Sequence, residues 1–317
     1  MKKALKIGLI LVAILIAMVV LLIVAVLFLA GNQKLADAYY ESVEASMPLE
    51  QTYTGKGEYT VSAVEYDAED EAVKKFMVWY PDGLESGGPY PLVVMANGTG
   101  VPASKYEAVF EHLASWGFVV VGNEDENSWS GASSAASLYY MLRLNDDRNS
   151  IFYRKIDTEN IGVAGHSQGG VGAVNAVTAQ ENGDRYKAIY TASTTHAALA
   201  QLLGWSYDVS KITIPCFMTA GTLQIDAGNE KDYGIAPLES LWQNYNGISD
   251  SVFKVIARRK DTDHGDMLTK ADGYMTAWFC WLLCGDEAAA GVFIGEDQEL
   301  PRNTDNWQDV TINEPIS

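Results

Sequence analysis

The five residues Gly165-His166-Ser167-Gln168-Gly169 form a G-x-S-x-G motif. The apolar run Ile161–Ala164 before it predicts a buried strand, and the small residues Gly170–Val177 after it predict a helix. A strand, a sharp turn and a helix around such a serine are typical of a nucleophile elbow, which exposes the serine hydroxyl. The flanking glycines are needed because side chains there would clash with the neighbouring strand and helix. We therefore predict that Ser167 is a catalytic nucleophile.

A serine needs a base to accept its proton. The chain has 4 histidines, and His264 lies in Asp263-His264-Gly265-Asp266, a loop after the last predicted strand. A histidine at that place, followed by glycine, is where an elbow-containing fold supplies its base, so we predict His264 in this role. His112 is expected to be a surface or core histidine, His166 to line the pocket or pack beneath it, and His196 to line the site.

The base in turn needs a carboxylate to orient it, and in this chain order the acid follows the preceding strand. The loop after that strand begins at Ala220, and its first carboxylate is Asp226. We predict Asp226 as the acid and keep Asp232, which follows in the same loop, as the alternative. Asp263 is adjacent to the histidine and is therefore badly placed to orient it.

Acyl transfer also requires donors for the oxyanion of the tetrahedral intermediate. The backbone N–H of Gln168, directly after the nucleophile, is predicted to be one of them. The other is predicted in the glycine-rich turn Asn97–Gly100, which follows the apolar strand Leu92–Ala96. We assign it to the N–H of Thr99, with Gly98 as the alternative.

Apolar runs and helical periodicity predict the elements that hold these residues. Strands are predicted at Tyr59–Tyr66, Lys75–Tyr80, Leu92–Ala96, Phe118–Val121, Ile161–Ala164, Ala188–Tyr190, Pro215–Thr219 and Phe253–Ile256, and helices at Ser104–Ser115, Ser134–Leu144, Gly170–Val177 and Ala271–Leu283. Strands that alternate with helices indicate an α/β fold with a mainly parallel sheet covered on both faces. The first two strands have no helix between them, so they are expected to form an antiparallel edge.

The stretches outside this alternation carry further predictions. About twenty residues separate the strands near Ser193 and Ile214, which is too short for a large cap domain. Four apolar residues there either edge an open active site or pack against the domain: Leu202, Leu203, Trp205 and Tyr207. The acidic residues 287–317 are expected to be an irregular surface tail.

The N-terminus predicts a membrane anchor. Lys2, Lys3 and Lys6 precede an uninterrupted apolar run from Ile7 to Ala30. As a helix this run is roughly 36 Å long, enough to span a hydrocarbon core of about 30 Å. A cleaved signal peptide, the alternative, has a shorter apolar region. The lysines place the N-terminus in the cytoplasm, so we expect a single-pass cell-membrane protein with an extracellular catalytic domain.

The domain organisation that follows has three parts. Residues 1–30 are the predicted transmembrane anchor, residues 31–58 a juxtamembrane linker, and residues 59–317 the catalytic domain. With 317 residues and 48% hydrophobic composition, the chain is long enough for one large α/β domain.

Charge and cysteine content narrow the function classes. The formal net charge of −19 argues against a nucleic-acid partner. Cys216, Cys280 and Cys284 have no zinc-like spacing and suggest no disulfide framework. We expect neither a metal nor an organic cofactor.

The run from Tyr59 to Leu283 resembles the α/β-hydrolase superfamily. Within it, the chain is similar to cutinase-like polyester hydrolases and to their dienelactone-hydrolase and chlorophyllase-type relatives. The segments that carry the resemblance are Ala114–Val121, Asn160–Gly170, Ala236-Pro237 and Asp263-His264-Gly265. In those relatives, the residue that matches Thr99 donates to the oxyanion. The resemblance implies a serine hydrolase.

We therefore predict a serine hydrolase that cleaves carboxylic esters, with a small-molecule or lipid-like ester as substrate. Two alternatives remain open: a peptidase or acyltransferase that uses the same triad, and a catalytically silent α/β-hydrolase-fold module that only binds.

Overall fold

The computed structural model describes Tyr40, residues 42–230 and residues 233–315. The predicted membrane anchor, residues 1–30, lies outside the described residues, as does Asp232. In the ranges that are described, no helix has the length and apolar character required to cross a membrane.

A single mixed sheet forms the centre of the described domain. Its strands are β1 (Val61–Asp67), β2 (Lys75–Pro81), β3 (Tyr90–Ala96), β4 (Val119–Asn123), β5 (Ile156–His166), β6 (Ala188–Ala192), β7 (Cys216–Gly221), β8 (Lys254–Arg259) and β9 (Trp307–Ile312). The strand order is β1-β2-β4-β3-β5-β6-β7-β8-β9. Strands β4, β3, β5, β6, β7 and β8 run parallel to one another. The prediction of a mainly parallel α/β sheet is thus confirmed.

Antiparallel strands close both edges of this sheet. β1 pairs with β2 and β2 with β4, as expected from the missing helix between the first two strands. At the opposite edge β9 pairs with β8, also antiparallel. The helices are α1 (Pro48–Thr54), α2 (Glu107–Ser115), α3 (Ala132–Asp146), α4 (Gln168–Thr178), α5 (Ala197–Leu202), α6 (Gln224–Ala227), α7 (Leu238–Gly247), α8 (Met267–Lys270), α9 (Asp272–Cys284), α10 (Glu287–Ala290) and α11 (Glu299–Arg302).

Two apolar layers pack on the faces of the sheet, because successive side chains of a strand point to opposite faces. Val93 contributes to the layer that contains α2 and α9, and its neighbour Val94 contributes to the layer that contains α3, α4 and α7. The central strands are buried on both sides, which explains why they are continuous apolar runs in the sequence. The carboxyl ends of β3, β5, β7 and β8 lead directly into the loops that carry the predicted site residues.

The prediction of an irregular tail at residues 287–317 is wrong. This segment forms α10, α11 and the edge strand β9, and it buries Phe293, Leu300 and Trp307. The acidic residues between these apolar side chains hide their contribution in the sequence, but each of the three is at most 2% exposed.

Two buried glutamates connect this C-terminal segment to the chain before β1. Glu299 accepts hydrogen bonds from the N–H groups of Leu49 and Glu50 at 2.8 and 2.7 Å. Glu50 accepts from the indole N–H of Trp307 at 2.8 Å and from the amide of Asn303 at 3.0 Å. We call Glu50, Glu299, Asn303 and Trp307 the terminal clasp. It holds α1 against the far end of the chain.

Candidate active site

The predicted nucleophile lies at the turn between β5 and α4. Ser167 has φ 61° and ψ −122°, a backbone conformation that is strained for a residue with a side chain. A Cβ at Gly165 would lie 1.9 Å from the carbonyl oxygen of Gly169, and a Cβ at Gly169 would lie 2.1 Å from the carbonyl oxygen of Ala96. Both glycines are therefore required for the close packing of β3, β5 and α4 at this turn. The arrangement has the form of a nucleophile elbow.

The structure brings Asp226 and His264 together. Asp226 lies in α6 after β7, and His264 begins a 3₁₀ turn, His264–Asp266, after β8. Asp226 Oδ1 is 2.6 Å from His264 Nδ1, so the Nδ1–H donates to the carboxylate. This bond fixes the tautomer that leaves Nε2 free to accept a proton. Asp226 is completely buried, whereas the His264 side chain is 15% exposed.

Two further donors hold the Asp226 carboxylate. Its Oδ2 accepts from the hydroxyl of Ser193 and from the N–H of Gly221 at 2.7 Å. Burial alone would raise the pKa of Asp226, but the hydrogen bond and charge of His264, together with these two donors, hold it below its usual value. The acid therefore stays ionised beside the imidazole.

Ser193 is a site residue that the sequence analysis missed. It follows β6 and is fully buried, with φ 50°, a left-handed conformation that turns its hydroxyl to Asp226. In the sequence it is one of several small polar residues after a strand, so no signal singles it out.

Asp263 has a different role from Asp226. Its Oδ1 accepts from the N–H groups of Ile225 and His264 at 2.9 and 3.0 Å. It therefore joins the acid loop to the histidine loop, in agreement with the expectation that it does not orient the imidazole.

His166 joins the elbow to the loop that carries His264. Its Nε2–H donates to the carbonyl oxygen of His264 at 2.7 Å, and the two ring centroids are 4.6 Å apart. Among the described residues the Ser167 hydroxyl makes no hydrogen bond, to His264 or to any other group. Catalytic hydrogen bonds of this kind are often long without substrate and tighten in the complex.

The loop after β3 supplies the region predicted to bind the oxyanion. Asn97 fixes this loop: its side-chain oxygen accepts from Tyr106, and its amide donates to the carbonyl oxygens of Asn123 and Asp125. Gly98 is buried, and a Cβ placed there would be 3.8 Å from the Cβ of Ser167.

Of the predicted oxyanion donors, Gln168 is the first residue of α4, where a helix has N–H groups without an intrahelical acceptor. Thr99 is exposed at the tip of the turn after β3. The Gln168 N–H lies at the start of α4 and the Thr99 N–H in the turn after β3. For the second oxyanion donor, Thr99 and Gly98 stay alternatives.

Comparison with protein families gives a match that covers much of the domain. The family model described as PET hydrolase-like matches residues 50–251, which is more than half of the chain. The chain belongs to the PET hydrolase-like family. It is therefore an α/β-hydrolase that acts on carboxylic esters. No curated protein matches the chain.

The match to the PET hydrolase-like family covers part of the candidate site. It includes the loop after β3, the elbow at Ser167 and the acid loop with Asp226, but it ends before His264. The assignment of His264 as base thus depends on the geometry, above all on its bond to Asp226.

The other three histidines of this PET hydrolase-like chain differ in their burial and in the groups that they contact. Burial and the nearby His264 lower the pKa of His166 to about 3, so its ring is neutral at ordinary pH. His196 precedes α5 and packs edge-on against Tyr233, with ring centroids 4.8 Å apart. His112 is buried in the core and contacts the carboxylate of Asp272.

Around the site, the short connection between β6 and β7 contains α5 and a 3₁₀ turn, Val209–Lys211. Leu202 is 82% and Leu203 is 47% exposed, whereas Tyr207 packs against the core and donates to Asn244.

In the described residues no cluster of three or more histidine, cysteine or acidic side chains is arranged to hold a metal ion.

Proposed function

We propose that this chain is a serine hydrolase that cleaves carboxylic esters through an acyl-enzyme intermediate. The observation that carries the proposal is the Asp226–His264 pair, bonded at 2.6 Å, which His166 joins to the strained, glycine-flanked turn of Ser167. His264, oriented by Asp226, accepts the proton of Ser167 as its oxygen attacks the ester carbonyl carbon. The C–O bond to the alcohol then breaks, and His264 protonates the leaving alcohol.

Water completes the cycle. His264 removes a proton from a water molecule, whose oxygen attacks the acyl carbon and releases Ser167 and the acid. Asp226 stabilises the positive imidazolium in both halves of the reaction. In our proposal the N–H of Gln168 and that of Thr99, or of Gly98, stabilise the oxyanion, which is typically worth a factor of about 10²–10³ for each donor.

The proposal is tested with residues 40–317, which contain the predicted catalytic domain together with α1, on p-nitrophenyl acetate and butyrate. Ser167→Ala is expected to reduce kcat by about 10⁴-fold or more, since removal of a triad member leaves only binding and oxyanion stabilisation. Labelling by a fluorophosphonate should occur at Ser167 in the unmodified protein. Turnover in Ser167→Ala equal to that of the unmodified protein would refute the proposal, and absence of labelling would favour a silent binding module. A panel of peptide and acyl-acceptor substrates separates esterase from peptidase or acyltransferase activity.

We further propose that the domain is held at the outer face of the cell membrane by residues 1–30. Support comes from the uninterrupted apolar run Ile7–Ala30 and the lysines before it. The full chain is expected to sediment with membranes and to resist extraction by high salt. External protease should digest the domain in intact cells, and protection of the domain would contradict this orientation.

A further inference from the structure

Two neighbouring strands of the sheet end in the same unusual way. β5 leads into Ser167 with φ 61°, and β6 leads into Ser193 with φ 50°. A positive φ is unfavourable for a residue that has a Cβ, and glycine is the residue that adopts it without strain. The nucleophile elbow accounts for the strain at Ser167. Ser193 is not the nucleophile, so its strain needs a separate reason.

The turn at Ser193 is joined to the elbow through the backbone. The N–H of Ser167 donates to the carbonyl oxygen of Ala192 at 2.9 Å, and the N–H of Thr195 donates to that of Ser167 at 3.4 Å. Residues on both sides of Ser193 therefore hold the elbow. The N–H of Ser193 itself donates to the carbonyl oxygen of Thr219 in β7 at 2.7 Å. Ser193 is thus fixed between the elbow and the strand that leads to the acid.

The side chain of Ser193 extends this connection to the acid. Its hydroxyl donates to Oδ2 of Asp226, whereas Oδ1 of the same carboxylate accepts from His264. Neither Ser193 nor Asp226 has exposed surface, so bulk water cannot replace the hydroxyl when it is removed. Oδ2 would then keep the N–H of Gly221 as its donor.

Contacts between loops have to align the triad, because the Ser167 hydroxyl makes no hydrogen bond to His264 in the described part of the chain. His166 supplies one such contact, to the carbonyl oxygen of His264. Ser193 supplies another, since its neighbours hold the backbone of the elbow and its hydroxyl holds the acid. The elbow and the acid are therefore connected through the end of β6.

We infer that Ser193 is a positioning residue that keeps the Asp226 carboxylate aligned with the Ser167 elbow, and that its left-handed backbone serves to aim the hydroxyl. The inference rests on the serine-hydrolase function proposed above. Without the hydroxyl, the carboxylate can rotate and the imidazole loses its fixed orientation. A misplacement of about 1 Å in an active site can cost about 100-fold in rate, so kcat should fall at least about tenfold. KM should stay within about twofold, because Ser193 is buried behind the acid.

Three substitutions of Ser193 separate the role of the hydroxyl from the strain of the backbone. Ser193→Ala and Ser193→Gly both remove the hydroxyl, and both should lower kcat at least about tenfold. Glycine relaxes the positive φ, so Ser193→Gly should have a Tm about 2–4 °C above that of Ser193→Ala. Ser193→Thr keeps the hydroxyl but places a β-branched residue at this φ, so its Tm should fall while kcat stays within about threefold.

The measurements are kcat and KM on p-nitrophenyl acetate and thermal unfolding, all with the full chain in detergent. The matched control is Ser115→Ala. Ser115 is 3% exposed, and its hydroxyl donates to the carbonyl oxygen of His112 at 2.6 Å and accepts from the N–H of Gly57 at 2.9 Å. It ends α2, which leads to the amino end of β4, away from the site. This variant should lower Tm and leave kcat within about twofold.

The outcomes distinguish a positioning role from a structural one. Activity that follows the hydroxyl, with Ser193→Thr more active than Ser193→Gly although it is less stable, supports the inference. Activity that follows Tm instead, with Ser193→Gly the most active of the three variants, would overturn it. A kcat of Ser193→Gly equal to that of the unmodified protein would also overturn it, while an inactive Ser167→Ala leaves the proposed function in place. Full activity of Ser167→Ala would instead overturn the proposed function itself.

Discussion

Replacement of Asp226 by asparagine tests the core of the proposed mechanism. The carboxylate accepts three hydrogen bonds from His264, Ser193 and Gly221, and it has no exposed surface. Asparagine keeps the shape but has one oxygen and one NH₂ group. If the NH₂ faces His264, the imidazole must accept at Nδ1 and therefore carries its proton on Nε2. In that tautomer it cannot take the proton of Ser167.

The size of the effect follows from this loss. An imidazole in the wrong tautomer typically reduces kcat by about 10⁴-fold. Each factor of ten corresponds to about 1.36 kcal/mol, so the barrier rises by roughly 5 kcal/mol. KM is expected to change little, because Asp226 is buried behind the histidine and does not face the substrate.

The assay is kcat and KM on p-nitrophenyl acetate, with thermal unfolding to show that the variant is folded. Asp232→Asn is the control, because Asp232 is the other acid candidate in the same loop. We expect Asp232→Asn to retain activity within about threefold. A folded Asp226→Asn protein within tenfold of the unmodified enzyme, together with a large loss in Asp232→Asn, would refute the assignment.

Two further substitutions test the packing and charge of the candidate site, and a third tests a buried lysine of the core. Gly165→Ala should lower kcat at least about 100-fold and reduce Tm, because the added Cβ would lie 1.9 Å from a backbone carbonyl oxygen. The control is Gly265→Ala, where the added Cβ has open space around it, and it should change neither kcat nor Tm. The folded protein binds a proton on His166 only below about pH 3, whereas the unfolded chain binds it below about pH 6.5, so the free energy of unfolding decreases as pH drops between these values. The Tm of His166→Gln should therefore depend less steeply on pH in this range. Equal slopes for the variant and the unmodified protein would contradict the low pKa of His166. Lys254 is 1% exposed and donates to two backbone carbonyl oxygens at 2.9 and 2.7 Å. Lys254→Met should therefore lower the free energy of unfolding, measured in urea, by about 2–4 kcal/mol. The control Lys211→Met, at an exposed lysine, should lower it by under about 0.5 kcal/mol.

The sequence was sufficient for the elements whose pattern is local. The apolar runs at β3 and β4, the periodicity of α2 and α3, and the missing helix between β1 and β2 each predict what the structure contains. Central strands are easy to recognise because they are buried on both faces. β9 was missed because an edge strand is buried less completely: Trp307 is buried, but the residues that follow it are only partly buried.

The site was predictable as far as chain order allows. Ser167 is marked by its motif, and Asp226 and His264 by their positions after successive strands; the structure brings the last two into hydrogen-bond contact. Chain order cannot distinguish Asp226 from Asp232, since both follow β7. Ser193 contributes through a contact 33 residues away in sequence, which no local pattern encodes.

The terminal clasp has a consequence for the order in which the chain folds. Glu50 and Trp307 are 257 residues apart in sequence, so the helix that carries Glu50 obtains this partner only when the chain has been synthesised as far as Trp307. Contacts of such long range slow folding, because much of the chain must be ordered before they form. A chain that stops before Glu299 would leave Glu50 with the donors of Ser46 but without those of Asn303 and Trp307. The packing of α1 is therefore completed only after the chain has been synthesised well past the elbow at Ser167.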